Sequence, residues 1–169
     1  KMKKKQTILM IAAKQGIPDL INFIIQYYPF DIYHRDNKSR SLVYYAIKSS
    51  NFEVIQLVLS LYKKDDPFLM MNEFIDRNSQ DSKLLLVENI ICLACKYGTT
   101  EIVDYLLNLT KSNINTCSLH NFSLLHCACQ ESNIDVVRYL LSKKDIDINI
   151  KDKHDQTPLY FAIKNDSYN

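Results

Sequence analysis

Apolar positions along the chain recur in short groups with helical spacing. Val54, Leu57, Val58 and Leu61 fall on one face, the i, i+3, i+4, i+7 pattern of an amphipathic helix. The pairs Ile24/Ile25, Val58/Leu59, Leu106/Leu107 and Leu140/Leu141 mark the same place in four such helices. Each is preceded by an acidic residue, Asp19, Glu53, Glu101 or Asp135, which favours the positive end of a helix dipole. Upstream of each lies another apolar cluster that opens on a Ser, Thr or Asn, so the pattern predicts pairs of short amphipathic helices.

The pairs recur with a period. Ala12, Ala46, Ala94, Ala128 and Ala162 are separated by 34, 48, 34 and 34 residues, and aligning on them brings other columns into register. Five residues before each alanine stand Thr7, Ser41, Asn89, Ser123 and Thr157, all able to N-cap a helix, and three before stand Leu9, Val43, Ile91, Leu125 and Leu159. The first helix of a pair is expected to run from the cap to about the fourth residue after the alanine. There Gly16 and Gly98 fall, placed for a left-handed C-cap. The second is expected to open on Asn51, Thr99 or Asn133 as cap, or with Pro18 in its first turn. One pair cannot bury its own apolar face, but stacked neighbours can, and a small residue at one place in every unit lets helices approach closely.

The spacing of 48 marks an insertion. Connections 26–40, 108–122 and 142–156 hold fifteen residues each and 60–88 holds twenty-nine, an excess of fourteen. Asp66 is placed to cap a helix with Pro67 at its first position and Phe68, Met71, Phe74 and Ile75 on one face. A polar loop, DRNSQDSK, follows. LLLV at 84–87 then runs straight toward Asn89, so this unit's first helix is expected to begin early, capped by Asp81 or Ser82, without a turn before it. The inserted helix has two conceivable uses, a seal over the gap or a Met-rich groove for a partner.

TPLYFA at 157–162, SLLHCA at 123–128, SLVYYA at 41–46 and TILMIA at 7–12 resemble the T-P-L-H-x-A signature of ankyrin repeats. DINIKDKHDQ resembles the family's turn, with Asp155 where glycine is usual, and HRDNKSR and SLHNFS stand in the same slot of earlier units. The resemblance implies an all-α ankyrin-repeat solenoid of stacked helix pairs with short β-turn fingers. About five units are expected in a single domain over 1–169: 1–35, 36–83 with the insertion, 84–117, 118–151 and an incomplete 152–169. It also implies a protein-protein interaction module that binds another protein, or another domain of its own chain, on the concave face of fingers and first helices. The alternative is a substrate-recruiting part of a larger enzyme or effector.

Composition narrows this further. Hydrophobic residues make up 47% and charged residues 24% of the chain, the profile of a folded globular protein. A net charge of +2 provides no broad field for nucleic acid, and KMKKK at the start reads as a solvated end. No apolar run approaches a bilayer span and no signal peptide is recognisable, so membrane insertion is not expected and an intracellular, cytoplasmic location is. Five cysteines without framework spacing predict free thiols. The missing initial Met and the stop after the fifth first helix suggest a piece of a longer protein.

His126, Cys127 and Cys129, with Cys92 and Cys95 in matching columns one unit earlier, invite a zinc or thiol site. Ala13, Ile47 and Ile163 occupy the column of Cys95 and Cys129, and that apolar company favours packing. The resemblance gives His126 a structural hydrogen-bonding place. No phosphate loop, nucleophile elbow or HExxH is present, so no catalysis, cofactor or metal is expected. Candidate partner-binding residues are Lys14, Asn37, Lys38, Tyr45, Lys48, Lys96, Tyr97, His120, Gln130, Glu131, His154 and Lys164. The lysines suggest an acidic edge on the partner, and aromatic side chains are favoured anchors. Sequence leaves open whether Tyr44 and Tyr45 face outward or inward.

Overall fold

Thr7, Ser41 and Ser123 each accept a hydrogen bond from the amide three residues on, those of Met10, Tyr44 and His126, and a first helix starts at each. The computed structural model describes residues 6–62, 90–116 and 120–166. The expected insertion helix after Asp66, the loop 76–83, the early start near Asp81, the Asn89 cap and part of the SLHNFS slot lie outside these residues. The helices are α1 (Ile8–Gln15), α2 (Pro18–Tyr27), α3 (Leu42–Lys48), α4 (Phe52–Ser60), α5 (Ile90–Tyr97), α6 (Thr100–Thr110), α7 (Leu124–Gln130), α8 (Ile134–Leu141) and α9 (Pro158–Asp166). Among the described residues every regular element is helical.

The chain divides into two compact units, residues 1–87 and 88–169. In the first, α1 packs on α2 and α3, α3 on α4, and α2 on α4. In the second, α5 packs on α6 and α7, α7 on α8 and α9, and α6 on α8. First helices therefore stack on first helices and second on second. The alanine column allows this, because Ala12, Ala46, Ala94 and Ala128 are all at most 1% exposed, and a larger side chain there would hold the helices apart. Leu9, Val43, Ile91 and Leu125 lie beneath at 1 to 3%.

Half-buried asparagines stitch successive pairs together. Asn51 accepts from the Val54 amide as cap and donates through Nδ2 to the Gly16 carbonyl at 3.0 Å. Asn133, expected as a cap, makes no side-chain cap bond; its Nδ2 instead reaches the carbonyls of Cys95 at 3.1 Å and Gly98 at 2.9 Å. Those oxygens end a helix and lack intrahelical donors, so the amide is used across the repeat. Asn165 does the same for the carbonyls of Cys129 and Gln130.

The two glycines behave differently. Gly16 adopts the left-handed conformation at φ 70°, as do Ser50 and Ser132, four residues after their own alanines, at φ 55°. Gly98 stands in the same column but does not turn left-handed, a correction to the sequence expectation. Its role is close approach: a Cβ there would meet the Ala94 carbonyl oxygen at 2.8 Å. Among the described residues no helix is long and apolar enough to cross a membrane.

Candidate functional site

The fingers are built around a buried aspartate. In the first unit Asp36 Oδ1 accepts the amides of Lys38 and Arg40, and Oδ2 accepts Arg40 Nε at 2.8 Å and the Tyr45 hydroxyl at 2.6 Å. Its own amide donates to the Arg40 carbonyl and its carbonyl accepts from Ser39, closing a turn in which Ser39 sits at φ 58°. Asp152 repeats the design in the second unit, accepting the amides of His154 and Gln156 on Oδ1, with Asp155 at φ 60°. These are Asx-type turns, in which the carboxylate replaces backbone acceptors.

Electrostatics follow the bonding. Burial alone would raise the Asp36 carboxyl, but the bonds from Arg40, Tyr45 and the two amides outweigh it and bring it down to about 2. Burial and the same Asp36 contact push the Tyr45 phenol up to about 12. Tyr45 is thus a structural strut. It is 2% exposed and also receives a bond from Gln6, so its place among the exposed candidates is corrected: the ring points into the core because its hydroxyl satisfies the finger's carboxylate. Tyr44 beside it is 8% exposed, edge-on to Tyr45.

In the first unit Lys14, Asn37, Lys38 and Lys48 are exposed. In the second unit Glu131, His154 and Lys164 are exposed and Lys96, Tyr97, His120 and Gln130 half-buried. Within that unit two fingers touch: the Lys153 amide donates to the His120 carbonyl at 2.9 Å, and Asn121 Nδ2 donates to the Lys151 carbonyl. Sequence reasoning did not single out Asp36 and Asp152 as the anchors, although both stand ten residues before an alanine of the repeat.

His126 completes a capping box. Its Nδ1 accepts the Ser123 amide at 3.1 Å and Nε2 donates to the Gln156 carbonyl at 3.0 Å, so the ring is the neutral Nε2–H form. It is fully buried, tilted against Phe122 at 4.8 Å and edge-on to Phe161 at 5.6 Å. Burial lowers its basicity, opposed by the Gln156 bond and Asp152.

Cys92, Cys95, Cys127 and Cys129 are free and buried. Burial pushes the Cys95 and Cys127 thiols far up, with neighbouring thiols adding to it, and raises Cys129. Such thiols stay protonated and make poor nucleophiles. Among the described residues no cluster of three or more His, Cys, Asp or Glu is arranged to hold a metal ion.

Sequence reasoning also missed a polar cluster on the second helices. The Tyr139 hydroxyl donates to Asp104 Oδ1, and Lys143 lies 3.5 Å from the same oxygen and 4.2 Å from the Tyr139 ring centre. The Tyr139 bond, against a smaller opposing effect of burial, lowers the Asp104 carboxyl. The cluster borders an open groove of about 440 Å³ with Lys111, Ser112 and Lys144. An apolar cavity of about 290 Å³ lies among Leu125, Val137, Leu141, Ile148 and Leu159.

A family model described as ankyrin repeats (3 copies) matches residues 67–152 and 91–169. No curated protein matches the chain.

Proposed function

The chain belongs to the ankyrin-repeat family, whose domains are generally protein-protein interaction modules, and from that premise we propose that it binds a protein partner on the side formed by its fingers and first helices. The observation that carries this reading is the shared finger construction: Asp36 and Asp152 lock their turns with the same set of bonds. A loop fixed before binding loses little entropy on binding. Around these fingers stand the exposed Lys14, Asn37, Lys38 and Lys48 in one unit and Glu131, His154 and Lys164 in the other. Second helices present acidic first turns at Asp19, Glu53, Glu101 and Asp135, which serve their own dipoles. A non-catalytic role agrees with the protonated, buried thiols.

The test is affinity capture with two charge-reversed variants. In one, Lys14, Lys48 and Lys164 are changed to Glu; in the other, Asp19, Glu53 and Asp135 are changed to Lys. A partner that survives the second set and is lost with the first supports the assignment, and loss with the second set alone refutes it.

A further inference from the structure

We infer that the first unit's finger and first-helix side receives an acidic peptide segment of the partner, with Lys14, Lys38 and Lys48 meeting its carboxylates. This rests on the reading that fingers and first helices form the binding face and adds the chemistry recognised there. The described cations of this unit, Lys14, Arg35, Lys38, Arg40 and Lys48, all lie in first helices or in the finger, while α2 and α4 carry only Asp19 and Glu53 as charged residues. Among its described residues the unit is polarised.

Geometry gathers the cations. Lys14 and Lys48 each stand two residues after the repeat alanine, on α1 and α3, which pack side by side. Arg40 and Lys48 converge on one ring, at 5.3 Å and 6.0 Å from the Tyr44 centre. Arg35 donates to the Ser39 carbonyl and fixes the turn that carries Lys38. Asp36 and Arg40 pair and cancel each other, so the positive excess of the described residues on this side comes from Lys14, Arg35, Lys38 and Lys48. Among the described residues Asp31 is then the one remaining carboxylate on this side.

The second unit lacks this polarity. Its Tyr160 and Lys164 repeat the Tyr44 and Lys48 pairing at 5.9 Å, but Gln156 replaces Arg40 and Glu131 and Asp155 add negative charge. A peptide fits the first unit better than a nucleic acid does. The two rings that the cations flank, Tyr44 and Tyr45, are 8% and 2% exposed and offer no face for the base stacking on which single-strand binders depend.

The experiment uses the full chain and fluorescence anisotropy with a labelled octaglutamate peptide. Affinity should weaken as salt rises past roughly 0.1 M, where the screening length is about 10 Å. K14E/K48E should weaken binding about tenfold, K14Q/K48Q should fall between it and the parent, and K111E/R138E, carrying the same charge change on the second helices of the second unit, should stay within about twofold of the parent. Unchanged helical circular dichroism and melting temperature would exclude unfolding. No binding of octaglutamate, equal effects of the two Glu pairs, or an octathymidylate bound as tightly as the peptide would overturn the proposal. Loss of the captured partner with octaglutamate binding unaffected would overturn it too, and would leave the binding-face reading standing.

Discussion

Asp36 and His126 carry opposite electrostatic signatures, and each sets a pH window. The folded pKa of Asp36 lies below its ordinary 3.8, at about 2, so its stabilisation is present above pH 4 and is lost as the pH falls from about 4 to 2. The loss amounts to roughly 2 kcal/mol. Asp36→Asn should remove that acid slope in urea titrations, and an unchanged slope would contradict the finger network. His126 has a folded pKa below the ordinary 6.5. The unfolded chain therefore takes up the proton first, and stability present at neutral pH should decline as the pH falls below 6.5. His126→Ala should cost about 2 to 3 kcal/mol, from the lost cap and the unpaired Gln156 carbonyl, and should flatten this decline. The His126 position was legible because it sits in a repeated signature; its tautomer was not, since that depends on a carbonyl thirty residues away. Tyr45 was misread for a related reason. Nothing in a run of two tyrosines states which hydroxyl a distant carboxylate will take.

The elements follow from columns. Ser, Thr and Asn caps, apolar pairs and alanines located the helices, because each is a local physical requirement repeated through the chain. What escaped was the bond that joins one repeat to the next, from the Asn133 amide to the Cys95 and Gly98 carbonyls, and, within one repeat, the close approach of Gly98 to Ala94. Ala128 is fully buried between stacked first helices, so Ala128→Leu should overpack the contact and cost about 1 to 3 kcal/mol, read as a lower denaturation midpoint. Ser132 holds a left-handed conformation at φ 55°, which strains a residue with a Cβ. Ser132→Gly should therefore raise the midpoint by up to about 1 kcal/mol; a lower midpoint would show that the hydroxyl matters more than the strain. Chelation should leave helical circular dichroism and melting temperature unchanged, because the four described thiols pack in the core; a fall in melting temperature would point to a bound metal.

At the scale of the molecule, repetition supplies the scaffold and departures from it supply the distinctive chemistry. The departures include the polarised charge of the first unit's described residues and the cluster of Tyr139, Asp104 and Lys143. Fold class was readable because a repeat states its architecture several times over. The proposed binding face was readable only as a set of columns, since exposure depends on which side chains the stacking consumes. The most direct check on the central claim is hydrogen-deuterium exchange of the full chain with its captured partner, resolved by peptide. Protection confined to fingers 29–41 and 142–157 and to the amides of α1, α3, α5, α7 and α9 is the predicted result; protection confined to α2, α4, α6 and α8 would contradict it.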